Sequence, residues 1–141
     1  MDQFDKKART AVKNLLFQCA EGKPGDTLLI VHETTGHDYY DANLHCLISD
    51  HAKALGFLVE LFPIEFDPDV KAPTADLIEA TSSADHTLFV ARLGDQIRFR
   101  TDTQNNNKII SYAIDGDTLS SEFGMADYKG FEALKVAINN L

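Results

Sequence analysis

The 141-residue chain has no long hydrophobic run, few basic residues and only two cysteines. Each shortage excludes something. No apolar stretch approaches the roughly 20 residues that a membrane-spanning helix needs. The N-terminus, Met1 to Lys7, carries charges and is followed by no apolar core of a secretory signal. The expected location is the cytoplasm, with no membrane partner. The shortage of positive charge points the same way: 13 Lys and Arg stand against 22 Asp and Glu, a formal net charge of −9. Such a chain is repelled by phosphate backbones and anionic lipid, so nucleic acid is not an expected partner either. The nearest thing to a basic patch is Arg92, Arg98 and Arg100. Cys19 and Cys46 fall in predicted helices and read as two small buried thiols of a cytosolic protein.

Glycine is also missing where nucleotide chemistry would need it. A dinucleotide fingerprint requires three glycines in the turn after the first strand, and only Gly36 stands there. No glycine loop followed by lysine and serine or threonine is present to cradle phosphates. No cofactor is therefore expected. No serine sits in a nucleophile elbow, and no cysteine–histidine pair has support for a catalytic arrangement, so no catalytic residue is assigned.

What is present is ordinary globular composition, 44% apolar and 25% charged, in a chain long enough to bury roughly two thirds of its unfolded surface as one domain, residues 1–141. The organising stretch is Asp26 to Gly36. Leu28 to Val31 is short, rich in β-branched residues and apolar on both faces, the signature of a strand buried on both sides of a parallel sheet. Before it, residues 3–20 read as an amphipathic helix with Phe4, Ala8, Ala11, Val12, Leu15, Leu16 and Cys19 on one face. The stretch Glu21 to Asp26 ends that helix, with glycine suited to a left-handed cap. After the polar exit, a helix is predicted at about 40–55, its buried face including Ala42, Leu44, Cys46 and Ile48, with Gly56 as its stop. A strand follows at 57–62, ended by Pro63. A third helix at 74–82 has Thr74 as its N-cap, and a third strand covers 87–92.

The segment Leu93 to Gln96 is a tight exit, and Ile97 to Arg100 is either a short strand or a helical turn. A polar loop covers 102–107, a fourth strand 108–113, a loop 115–124 and an amphipathic helix 126–140. Alternating helices and strands with 20–30 residues between strands require crossovers. The predicted fold is therefore a Rossmann-like three-layer α/β/α domain. Its mostly parallel sheet has about four to five strands in the order 2-1-3-4. In that order the carboxyl ends of the first and third strands flank the default ligand crevice.

Several residues invite chemistry at that edge. His32-Glu33-Thr34-Thr35-Gly36-His37 looks like a zinc-protease motif, but the histidines are five apart across a glycine at a strand end, where the motif needs them four apart on a helix. Asp38 and His45 add ligand types without a readable geometry, and no metal ligand is assigned. The exit of the third strand brings Arg92, Asp95, Gln96 and Arg98, with Arg100 just beyond, beside His32, Glu33 and Thr35. Arginines at a sheet edge suit a carboxylate or phosphate; the competing reading is that they pair with the protein's own acids. The candidate ligand-binding residues are thus His32, Glu33, Thr35, Arg92, Asp95, Gln96 and Arg98. His45 and His51 read as structural histidines, and His86 as a surface residue.

The segment order also resembles a known family. The matching pieces are Asn14-Leu15-Leu16, Lys23 to Val31, His51 to Leu61, Ser83-Ala84-Asp85 and Ala126 to Leu141. They are similar to the N-terminal domain of the thermophilic metallo-aminopeptidases, the aminopeptidase T-like leucyl aminopeptidases. That resemblance implies a Rossmann-like domain packed on a second, catalytic domain that holds the metal ions, so no catalytic residue carries over to this chain. The expectation that follows is a non-catalytic domain, excised or encoded alone, which shapes a substrate site, binds peptide or assembles with a missing C-terminal catalytic domain. It carries with it a homo-oligomer or hetero-complex. The alternative is a small ligand-binding protein or enzyme using the crevice between His32–Gly36 and Arg92–Arg98.

Overall fold

The computed structural model describes residues 3–34, 39–70, 72–97 and 107–110, the last by backbone alone. The elements are α1 (Gln3–Lys13), a π-helical turn (Asn14–Cys19), β1 (Thr27–Glu33), α2 (Leu44–Ala54), β2 (Leu58–Ile64), α3 (Ala75–Ser83), β3 (His86–Val90), α4 (Leu93–Gln96) and β4 (Asn107–Ile110). The four strands form one parallel sheet in the order β2-β1-β3-β4. Fold class and strand order are as the alternation predicts, with four strands among the described residues.

β1 lies between β2 and β3, and its centre, Leu28 to Val31, is wholly buried. Side chains alternate across a strand, so β1 supplies two cores. Leu28 and Ile30 join Leu88, Val90 and the α1 and α2 residues Ala11, Val12, Leu44, Ile48 and Ala52. Leu29 and Val31 join Phe89, Leu77 of α3, and Leu93 and Ile97 at α4. Helices therefore cover both faces, the three-layer arrangement. The hydrophobic effect favours burying these apolar side chains by about 1.5–3 kcal/mol each.

Several boundaries differ from the sequence reading, for identifiable reasons. The first helix does reach Cys19, but from Asn14 it widens to π geometry, with the Ala20 amide donating to the Leu15 carbonyl five residues back at 3.0 Å. The left-handed residue after it is Glu21, at φ +55°, rather than a glycine. α2 starts at Leu44, and Ala42 is exposed in the turn before it. Leu44, Ile48 and Ala52 repeat every four residues and face the sheet, which turns Cys46, two residues from Leu44, outward. Cys46 is thus an exposed free thiol, contrary to the buried one expected; the Cys19 side chain lies outside what is described. Gly56, at φ +100°, ends the helix as predicted; a β-carbon there would lie 2.9 Å from that of Pro24.

β2 continues through Pro63 to Ile64, whereas proline was expected to end it. The Leu58 amide donates to the Asp26 carbonyl at 2.9 Å and the Thr34 amide to the Ile64 carbonyl at 2.7 Å. Those bonds turn the backbone groups of Leu58, Glu60, Phe62 and Ile64 toward β1, and those of Val59, Leu61 and Pro63 outward. On the outer side of an edge strand the missing proline N–H costs no ladder bond. Thr74 caps α3 as expected, its hydroxyl accepting from the Leu77 amide at 3.2 Å. β3 ends at Val90, two residues early, because the chain turns at Ala91–Arg92 into α4. Ile97 caps that turn; Arg98 to Arg100, read with it as either a short strand or a helical turn, lie outside the described residues. The fourth strand begins at Asn107; the predicted loop at 115–124 and helix at 126–140 lie outside the described residues. No helix among those described is long and apolar enough to cross a membrane.

Candidate functional site

At the carboxyl edge, β1 ends in His32 and Glu33, and strand alternation sends their side chains to opposite faces. Glu33 points to the α3–α4 side and meets Arg92, which the turn after β3 presents. The Arg92 guanidinium donates from Nη2 to Oε1 at 2.8 Å and from Nε to Oε2 at 3.0 Å. The Arg92 backbone N–H adds a third strong bond, to Oε2 at 2.7 Å. The Glu33 side chain is 3% exposed and that of Arg92 is 25% exposed. Hydrogen bonding to Glu33 raises the Arg92 pKa above its already high ordinary value, so the guanidinium stays charged. The Arg92 carbon Cζ also lies 3.4 Å from the ring centre of Phe66 and 4.5 Å from that of Tyr39. One arginine thereby touches the loops that follow β1 and β2.

His32 goes to the other face. Its ring stacks on that of His45, in the first turn of α2, at 3.8 Å and an interplanar angle of 3°. Burial lowers the pKa of both rings, and the nearness of His45 lowers that of His32 further. Two stacked cations would repel, so the neutral pair is favoured at neutral pH. His32 Nδ1 is buried without a hydrogen-bond partner among the described residues. Gln96, on α4, donates from its amide nitrogen to the Asp67 carbonyl at 3.0 Å, while its Oε1 is buried and unpartnered. α4 can approach β3 this closely because residue 94 is glycine: a β-carbon there would lie 2.6 Å from that of Phe89.

Of the seven residues singled out by sequence, the structure thus brings Glu33 and Arg92 into direct contact. It places His32 and Gln96 at the same edge on opposite faces. Thr35, Arg98 and the side chain of Asp95 lie outside the described residues, as do His37 and Asp38. Arg92 follows the competing reading in that it pairs with the protein's own glutamate. Among the described residues no three potential metal-ligating side chains stand together. Sequence reasoning missed two partners at this edge, Tyr39 and Phe66, whose aromatic character next to a strand exit was the available signal. It also treated His45 as a structural residue of α2, whereas the structure places it against His32.

Sequence reasoning also misplaced His86. It is 4% exposed, not a surface residue, and its Nε2 lies 2.8 Å from Asp26 Oδ2 at the opposite, amino edge of the sheet. It is the first residue of a strand whose five residues are all buried.

No family model matches the chain, and no curated protein matches it. Among solved structures it is similar to a ureidoglycine-glyoxylate aminotransferase from Bacillus subtilis, at 15% identity and a TM-score of 0.38. The match covers 83% of this chain and 30% of that one. A likeness this distant assigns neither family nor chemistry. The resemblance to the metallo-aminopeptidases is overturned: no family model and no curated protein supports it. The matching segments were a helix end, a turn and a buried strand, which many α/β domains share for reasons of folding.

Proposed function

We propose that the chain binds a small polar ligand at the carboxyl edge of its sheet, around the exits of β1 and β3. The observation that supports this reading is the position of the unpartnered groups. Among the described residues two buried side-chain atoms lack a hydrogen-bond partner, His32 Nδ1 and Gln96 Oε1, and both belong to this edge. A buried polar atom without a partner costs about 1–3 kcal/mol, and buried groups are otherwise paired almost throughout folded proteins. The order β2-β1-β3-β4 makes the β1–β3 edge the point where crossovers depart in opposite directions, the usual ligand position in open α/β sheets. A small polar ligand suits what is left open on either face of that edge, since Gln96 Oε1 accepts and a neutral imidazole nitrogen does either.

The test is backbone and side-chain NMR of the labelled protein against a panel of neutral amides, polyols, carboxylates and phosphates at millimolar concentration. Saturable shifts should gather at Thr34, His45 and Gln96 and at the His32 ring. Shifts confined to the amino edge, or none at these positions with any member of the panel, would overturn the reading.

A further inference from the structure

Resting on the carboxyl-edge reading, we infer that Arg92 is an oxyanion-binding residue, held in a ready geometry by Glu33, Tyr39 and Phe66. A guanidinium carries five N–H donors in a fixed planar fork. Glu33 takes the edge formed by Nε and Nη2, at 3.0 and 2.8 Å. Nη1 makes no hydrogen bond among the described residues, and the arginine side chain remains one-quarter exposed. The glutamate is almost fully covered, so an incoming group meets the arginine's outer edge and not the carboxylate. Nη1 and the remaining Nη2 proton form a second pair of parallel donors, which suits two oxygens of one carboxylate or phosphate.

What separates this arginine from an ordinary ion-paired one is its immobility. Its backbone N–H and its side chain grip the same carboxylate, at 2.7 and 2.8 Å. Its planar group also lies against Phe66 at 3.4 Å and Tyr39 at 4.5 Å. The side-chain freedom that an arginine normally loses on binding is therefore already lost in the folded protein. Glu33 is a positioning residue in this arrangement. It also cancels the unit charge, so selectivity comes from the paired donors and affinity for simple ions is modest. Tyr39, nearly half exposed, is the more open of the two rings against the guanidinium.

The experiment follows the Arg92 side-chain Nε and Nη signals of the whole chain by NMR in titrations with acetate and with inorganic phosphate. Acetamide serves as the neutral analogue and sodium chloride as the ionic-strength control. Saturable movement of the Arg92 signals with acetate, with phosphate or with both is expected, and the responding arm names the oxyanion. Arg92→Lys, which keeps the charge and loses the planar fork, should weaken that binding at least tenfold. Glu33→Gln should leave the chain folded and broaden the Arg92 signals. Three results would overturn the inference: unmoved Arg92 signals in both arms, an equal response to acetamide or chloride, or undiminished binding by Arg92→Lys. The wild-type signals decide even if a variant folds poorly. Ligands that shift Thr34 or Gln96 while Arg92 stays still would overturn this inference and leave the carboxyl-edge reading standing. Silence at every position would end both.

Discussion

The two ends of the central strand are tied to the same neighbour in different ways. At the amino end, Asp85 accepts from the Thr27 amide and hydroxyl at 2.8 and 3.1 Å, and its own amide donates back to that hydroxyl at 2.8 Å. Beside it, Asp26 takes the His86 ring. At the carboxyl end, Glu33 and Arg92 make the equivalent tie between β1 and the exit of β3, but His32 Nδ1 and Gln96 Oε1 are left without partners. Both ends fix the register of β1 against β3. Among the described residues, only the carboxyl end buries side-chain atoms that the fold itself does not use. That surplus is the physical difference between the two edges, and it is the ground on which the carboxyl edge is proposed as the ligand-binding one.

Substitutions can break the comparison, and the largest effect is expected at Glu33. Glu33→Ala strands the partly buried guanidinium and the Arg92 amide, and should lower stability by about 2–3 kcal/mol, discounted for the arginine's exposure. Urea unfolding measures it; a loss below about 0.5 kcal/mol would mean that the pair does not hold the edge. Asp85→Ala removes the two exposed hydrogen bonds that its carboxylate accepts from Thr27, keeps the backbone one, and should cost about 1–2 kcal/mol, yet leave ligand shifts at the carboxyl end unchanged. If it abolishes them, the two ends are not independent. His32→Leu should cost nothing or raise stability by up to about 1 kcal/mol, because it removes an unpartnered buried nitrogen, while abolishing ligand response at that position. A large destabilisation would show that the histidine pair is structural.

Acid sharpens the same comparison with the smallest effect. His32 and His45 have folded pKa values below their ordinary 6.5, chiefly through burial, so the unfolded chain takes up protons first. Stability should be flat above pH 6.5 and fall as pH drops below it. Asp26, whose pKa is lowered from 3.8 chiefly by its hydrogen bond with His86, acts in a separate window: its contribution is present above pH 3.8 and lost below it. Denaturant midpoints measured between pH 3 and 8 should therefore decline in two stages. His32→Leu with His45→Leu should remove the upper stage only. Persistence of that stage in the double variant would assign it elsewhere.

Features set by a few adjacent residues were legible in the sequence. The apolar run from Leu28 to Val31 identified the central strand, Thr74 identified its helix cap, and strand spacing identified crossovers and order. Each depends on propensity or periodicity within one segment. Of the candidate site, the adjacency of the first and third strand exits was legible. Its internal pairing was not. Glu33 and Arg92 are 59 residues apart, and whether an arginine meets a ligand or its own glutamate depends on register and on which face each strand position takes. Alternation could have separated His32 from Glu33. It could not have set the His32 ring against His45, because that contact depends on where α2 begins.

By itself, then, the sequence determined a parallel α/β sheet centred on Thr27 to Glu33 and helices on both faces, because these follow from local patterns of apolar residues. Only the tertiary structure decided that Pro63 lies harmlessly on an outer edge, that Cys46 faces solvent and that His86 is buried against Asp26. It alone also joined Arg92 to Glu33 and left His32 Nδ1 and Gln96 Oε1 unpartnered. The physical reason is common to all of them. Each outcome depends on which distant group arrives to cover, pair with or miss a side chain, and that is set by strand register and helix placement.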